Sequence, residues 1–160
     1  RRFYAHLPFS YVYGLSIVNL ALSHGASLFL TKEPFFTPGF WELGAGHGVT
    51  DFSGVPFHYE NLAKAGLDRF NLTSLKCATQ AGGKLSPDLV NFYFNFFGAK
   101  GLDFFVMYGQ AEAGPRISYL GPKHPGERID SVGRSIDIGN LAIDSEKNLQ
   151  YRSEPLGPFD

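Results

Sequence analysis

"SPDLVNFYFNFFGAKGLDFFVMYGQAEAGPR" occupies residues 86–116, and its reading decides the fold. Ser86 is a good N-cap and Pro87 suits a first helical turn, where its missing N–H is not needed. Leu89, Phe92, Phe96 and Phe97 then recur at helical spacing, which predicts a helix over 86–101. The apolar run "LDFFVMYG" (102–109) comes next, and a short run of this kind predicts a buried strand. An aromatic stripe on a helix serves as core, so Phe92, Phe94, Phe96 and Phe97 are expected to face inward rather than line an acyl pocket.

The same alternation extends toward the N-terminus. Leu15, Val18 and Leu22 share one face of an expected helix over 12–24, which Gly25 stops. "ASLFLT" (26–31) predicts a short buried strand, "PGFWELGAGHG" (38–48) a helix opening at Pro38, and "VTDFSGV" (49–55) another strand. "PFHYENLAKAG" (56–66) starts with Pro and ends with Gly, the punctuation of a helix, and "LKCATQAGG" (75–83) is a strand running into a glycine turn. Strand and helix in alternation predict an α/β class, a layered domain with a largely parallel sheet flanked by helices. Beyond residue 117 the segments shorten. "GNLAIDSEKNLQYR" (139–152) predicts a hairpin turning near Glu146–Asn148, so a short antiparallel β region is expected after the layered part.

Composition bounds the function. The chain has 160 residues, 44% apolar and 18% charged, enough for one domain with a real core. A net charge of −1 gives no basic surface for a polyanion, so nucleic acid is not an expected partner. The single cysteine, Cys77, excludes a disulfide framework and a cysteine-rich zinc site, and a reducing cytoplasmic compartment fits best. No apolar run reaches the ~18 residues of a membrane span. "RRFYAHLPFSYVYG" is broken by His6, Pro8 and Ser10 and does not read as a signal peptide. The chain opens in mid-pattern and stops at "EPLGPFD", which predicts a piece of a longer protein.

Several motifs fail on context. "GAGHG" (44–48) lies after a helix and before a strand, the reverse of a dinucleotide fingerprint, and reads as a helix cap. "HYE" (58–60) lacks the paired cysteines of a zinc deaminase, and His6, His24, His47 and His124 lack metal spacing and are expected mostly on the surface or in loops. "NLT" (71–73) reads as a turn rather than a glycosylation acceptor.

"QAGGKLS" (80–86) and "YGQAEAGPR" (108–116) differ from these. Each sets glycines at the C-terminal end of an expected parallel strand, the edge where open α/β sheets bind ligands. Glycines there let a flat ring approach the backbone, and Tyr108 offers a stacking face. Glu112 suits Mg²⁺, which takes one or two carboxylates plus phosphate oxygens. Spacing alone is compatible with a nucleotide site, but for Glu112 by itself it favours a solvated turn residue.

At these residues the chain resembles the AMP-forming acyl-CoA synthetases and ligases, the adenylate-forming superfamily. "YGQAEAGPR" is similar to that family's Tyr-Gly-x-Thr-Glu segment. "LPFSYVYGLSIVNLALSHGASLFL" (7–30), "FSGVPFHYENL" (52–62), "LKCATQAGGKLSPDL" (75–89) and "ERIDSVGRSI" (127–136) resemble further family segments in the family's order. The resemblance implies that a carboxylic acid and ATP are the small-molecule partners, and that an acyl-adenylate forms with release of pyrophosphate. Coenzyme A would be the thiol acceptor and Mg²⁺ the metal. It further implies that Gly82 and Gly83 border the adenine and the acyl pocket, and that Tyr108 stacks on adenine. Gly109, Gln110 and Ala111 would line the site, and Glu112 would be the catalytic metal ligand. Tyr11 would gate the acyl pocket, with Val55 and Pro56 near its wall.

Three departures qualify what the resemblance implies. Ala111 stands where the family has a Thr that contacts the AMP phosphate, a loss of about 1.5–3 kcal/mol for a hydrogen bond to a charged group. The Ser/Thr/Gly-rich phosphate loop has no counterpart. Neither do the ribose-binding Thr-Gly-Asp segment and the small C-terminal domain with its Lys. Residues 1–160 are therefore expected to be part of a large N-terminal AMP-binding domain. The parent would activate an acid and this part alone would be inactive. Residues 7–19 hold no acid to pair with a substrate ammonium, which favours a fatty or aromatic acid. The alternatives are a non-catalytic homologue that binds a nucleotide or acyl group, and a fold segment without a ligand.

Overall fold

The predicted alternation of strands and helices is borne out in a computed structural model that describes residues 1–122, 128–136 and 139–153. His124, Glu127 and the closing "EPLGPFD" lie outside the described residues. In chain order the elements are β1 (Arg2–Tyr4), α1 (Val12–Ser23), β2 (Ser27–Phe29), α2 (Pro38–Gly46), β3 (Asp51–Gly54), α3 (Pro56–Ala65) and β4 (Cys77–Gln80). Then come α4 (Pro87–Ala99), β5 (Asp103–Gln110), β6 (Gly114–Leu120), β7 (Arg134–Ser135), β8 (Gly139–Ile143) and β9 (Leu149–Ser153). The main sheet has seven strands in the order β2-β1-β3-β4-β5-β6-β7, and its first five run parallel. β6 and β7 continue it antiparallel, while β8 and β9 form a separate hairpin.

Local chemistry explains the helices. Pro38, Pro56 and Pro87 each open a helix as expected. The Ser86 hydroxyl accepts from the Leu89 N–H at 3.4 Å, and Gly66, at φ 82°, ends α3. Two apolar clusters then fix the layers. Trp41 and Phe40 of α2, Tyr59 and Leu62 of α3, and Val90, Tyr93 and Phe97 of α4 bury one face of the sheet. Tyr13, Ile17 and Ala21 of α1 bury the other, with Phe3, Ala81 and Met107.

The structure corrects several expectations. The buried face of α1 is Tyr13, Ile17 and Ala21, whereas Leu15 is 46% and Leu22 74% exposed. Tyr13 sets that rotation, because its hydroxyl bonds to Thr79 in the sheet. On α4 the inward stripe is Val90, Tyr93 and Phe97. Phe94 and Phe96 pack only partly, and Phe92 stays largely exposed, stacked on Phe96. β2 is an edge strand paired only with β1, so Ser27 is exposed and Leu28 and Phe29 are half-buried. β1 has no counterpart among the expected strands; its three residues are too few to show a period.

His6 lies in the loop after β1, as expected, but it is half-buried there with both ring nitrogens enclosed. The order β2-β1-β3-β4-β5 puts a switch between β1 and β3, where ligands bind in doubly wound sheets. Here rings occupy that crevice. His6, just past β1, stacks on Phe52 at 4.9 Å and meets His58 edge-on at 5.1 Å, while His58 lies 4.4 Å from Phe35. Neither His6 ring nitrogen makes a hydrogen bond of normal geometry. Burial, with the neighbouring His58, pulls the His6 pKa down to about 3, and burial takes His58 down to about 4.

Candidate nucleotide and acid site

The open space lies one strand-pair over from that switch, at the ends of β4 and β5. β4 ends on Gln80, which is fully buried, and its side chain shapes the glycine turn beyond it. Gln80 Nε2 donates to the Gly83 carbonyl at 2.8 Å and to the Ala81 carbonyl at 3.3 Å. Gly82 takes φ +78°, a left-handed conformation that side chains disfavour. A Cβ at Gly82 would overlap the Tyr11 hydroxyl and lie 3.1 Å from Val55 Cγ1. One at Gly83 would lie 3.1 Å from Pro56 Cγ.

Beneath this turn sits a hydrogen-bonded hub. Tyr13 Oη lies 2.7 Å from Thr79 Oγ1, and Ser53 Oγ lies 2.9 Å from the same atom. From the opposite layer Tyr59 Oη donates to the Thr79 carbonyl at 2.8 Å, and Tyr93 Oη donates to the Tyr59 carbonyl at 2.6 Å. Burial raises the Tyr13 pKa to about 12 and holds the Tyr59 and Tyr93 hydroxyls above their usual range, so all three remain protonated donors. Tyr13 and Tyr59 thus tie α1 and α3 to the last residues of backbone before the glycines, and Tyr93 ties α4 to α3.

A cavity of about 390 Å³ opens against this turn. Residues 82–85 and Val90 form one wall, residues 106–109 of β5 a second, and residues 129–132 a third. Its volume falls within the range of small-molecule sites. Lys84 and Asp130 put opposite charges on its lining. The bidentate bond from Arg128, at 2.7 and 3.0 Å, holds the Asp130 carboxyl below the usual range.

Of the residues expected at the site, Gly82, Gly83, Tyr108 and Gly109 surround this cavity. Tyr11, Val55 and Pro56 meet Gly82 and Gly83 from outside it. Gln110 is exposed and donates to the Tyr108 hydroxyl at 2.8 Å. Ala111 and Glu112 stand on the exposed turn that joins β5 to β6, and neither lines the cavity. That turn is a correction in itself. The Tyr-Gly segment feeds an antiparallel hairpin with a bulge between Tyr108 and Gln110, and β6 begins already at Gly114. Gly109 is required by that bulge, since a Cβ there would overlap the Pro115 backbone.

The sequence reading missed Gln80, Thr79, Tyr13 and Tyr59. Only Tyr13 left a signal, the spacing Tyr13, Ile17, Ala21 along one helix face. Among the described residues no group of three His, Cys, Asp or Glu side chains stands ready for a metal. No helix among them is long and apolar enough to cross a membrane.

Comparison with known proteins supplies the context for this geometry. The family described as AMP-binding enzyme matches residues 1–155. The chain is 26% identical over 152 residues to a 2-succinylbenzoate–CoA ligase of Geobacillus sp. (strain WCH70), covering 94% of this chain and 30% of that protein. It is 27% identical over 139 residues to an uncharacterised acyl–CoA ligase, YtcI, of Bacillus subtilis (strain 168), covering 76% and 26%. The chain therefore spans less than a third of the length of these relatives. In fold it resembles an O-succinylbenzoate coenzyme A synthetase (MenE) from Bacillus subtilis solved with AMP. The TM-score is 0.74 at 23% identity, over 98% of this chain and 30% of that one. The same enzyme solved with ATP and magnesium ion gives a TM-score of 0.72 at 21% identity.

Proposed function

This chain belongs to the AMP-binding enzyme family, and from that premise we propose that it is part of the large N-terminal domain of an enzyme that activates a carboxylic acid with ATP. The acid oxygen attacks the α-phosphorus, the bond to the leaving pyrophosphate breaks, and an acyl-adenylate forms. Transfer of the acyl group to the thiol of coenzyme A completes the proposed reaction. ATP with Mg²⁺ supplies the leaving group and its charge neutralisation.

One observation carries the reading. Gly82, Gly83, Tyr108 and Gly109 converge on one cavity at the C-terminal ends of parallel strands. The Gly82 and Gly83 edge admits a flat purine, and Tyr108 offers it a ring face. Tyr11, Val55 and Pro56 abut the other side of the same turn, where the acid is proposed to lie. The buried tyrosine hub keeps that turn in place, so both reactants meet a preset surface.

Glu112 is proposed as the Mg²⁺ ligand. Its exposed position on the β5–β6 turn leaves it open to a metal carried by phosphates, and one carboxylate is enough for such an ion. The acid is placed among fatty or aromatic acids without an α-ammonium, because residues 7–19 offer no carboxylate to pair with one.

AMP titration by calorimetry tests the cavity. Tyr108→Ala should weaken binding by about 1–3 kcal/mol, the worth of a base stacked on an aromatic ring; unchanged affinity refutes the adenine assignment. In the whole protein, Glu112→Gln should cut acid-dependent pyrophosphate exchange at least tenfold, and full exchange by that variant removes Glu112 from the metal site. Ala111 favours a second reading, a homologue that binds without catalysing. Ala111→Thr distinguishes the two, since an active site should gain AMP affinity from the restored hydroxyl.

A further inference from the structure

One buried amide at the site is answered at one end only. Gln80 is fully buried at the end of β4, yet its Oε1 accepts no hydrogen bond among the described residues. Its Nε2 donates twice, to the Gly83 carbonyl at 2.8 Å and to the Ala81 carbonyl at 3.3 Å. The opposite amide orientation would set Oε1 against two carbonyl oxygens, so the donors fix which end is stranded. A buried acceptor without a donor costs stability, and an apolar side chain of similar length would avoid that cost. The amide is better explained by where it sends the backbone.

The backbone groups of residues 81–83 divide into two sets. The Ala81 N–H donates to the Gly54 carbonyl at 3.1 Å, and the Ala81 and Gly83 carbonyls are taken by Gln80. The Gly82 N–H, the Gly82 carbonyl and the Gly83 N–H have no partner among the described residues. Both glycines are exposed and line the 390 Å³ cavity. The turn thus holds two carbonyls inside and leaves two donors and one acceptor at the cavity's edge. Adenine complements such a set, since its ring nitrogens accept and its amine donates. The tyrosine hub anchors Thr79, the residue before Gln80, and the Gln80 amide carries that hold into the turn. Building on the acid-activation reading, we propose that Gln80 is a positioning residue for the nucleotide: its amide keeps the Ala81 and Gly83 carbonyls inward, so that the free backbone groups of Gly82 and Gly83 meet the adenine edge. Gln80 itself is fully buried and does not line the cavity, so it acts through the turn.

AMP titrated by calorimetry into the whole protein is the test. The ratio of variant to unaltered affinity at each pH cancels the ionisation of the AMP phosphate. Gln80→Glu keeps the length of the side chain and makes its donor depend on pH. Burial raises a carboxyl by several units, so the introduced group gains its charge between about pH 5 and about pH 9. Protonated, it donates to the Gly83 carbonyl and should bind AMP within about tenfold of the unaltered protein. Ionised, it has no donor, and the ratio should fall about tenfold or more again. Neighbouring groups do not mimic this. Burial keeps the Tyr13, Tyr59 and Tyr93 hydroxyls protonated, Arg128 keeps Asp130 ionised, and Lys84 is common to every variant. A purely structural loss would not return on acidification. Gln80→Met neither ionises nor donates and should bind AMP about tenfold or more weakly at every pH; it decides the matter if Gln80→Glu unfolds at the upper pH. Undiminished affinity in Gln80→Met, or a ratio in folded Gln80→Glu that ignores pH, overturns this inference alone. Failure of the unaltered protein to bind AMP overturns the activation reading and this inference with it.

Discussion

At about pH 4.5 the His6 ring should cost the fold about 3 kcal/mol of stability, and His6→Phe should remove that cost. The ring titrates near 6.5 in the unfolded chain and at about 3 in the fold. A depressed folded value means that its stabilisation is complete above the unfolded pKa and is lost as pH falls from 6.5 toward 3. At about pH 4.5 the unfolded chain holds the proton and the native ring does not. The gap is roughly two units at 1.36 kcal/mol each. Phenylalanine suits the position, since His6 already stacks on Phe52 with an interplanar angle of 5° and neither nitrogen makes a hydrogen bond of normal geometry. Fluorescence of Trp41, the only tryptophan, reports unfolding from the same aromatic cluster. Urea midpoints at neutral pH and at about pH 4.5 give the loss for each protein. His58, in ring contact with His6, moves in the same direction, while Asp51, whose pKa burial raises, moves in the opposite one and, being common to the two proteins, cancels in the difference. Equal acid losses in the unaltered protein and His6→Phe would refute the reasoning.

Three further outcomes rest on the site's construction. Gly82→Ala should lower the unfolding free energy by about 1–2 kcal/mol for the left-handed backbone alone, and should weaken AMP and acid together as Tyr11 is displaced; thermal melts and calorimetry on one preparation check both. Tyr93→Phe removes the 2.6 Å bond to the Tyr59 carbonyl and should cost about 1–2 kcal/mol by chemical denaturation. Gly109→Ala forces apart β5 and β6 at Pro115 and should cost about 2 kcal/mol or more, with amide exchange accelerated in β6.

The layered fold was legible because its signals are local. Proline at the starts of α2, α3 and α4, glycine after β4, and the turn of the β8–β9 hairpin each act within a few residues. What escaped depends on partners far along the chain. Tyr13 turns its helix by bonding to Thr79, 66 residues away, and no window of sequence ranks it above Leu15 or Leu22 as the inward residue. His6 is half-buried by rings from β3, α2 and α3. At the site the glycines were legible and their neighbours were not. Gln80 shapes the turn through bonds to the carbonyls of Ala81 and Gly83, and nothing in its flanking residues marks it as buried.

The position of Gly82 has an evolutionary consequence. One residue without a side chain separates the purine compartment proposed on one side from Tyr11 and the acid compartment on the other. Enlarging that residue intrudes on both rooms at once. Drift in acid preference is therefore channelled away from the shared partition and into the outer walls, at Tyr11 and Val55, where a swap can reshape one ligand's berth without disturbing its companion.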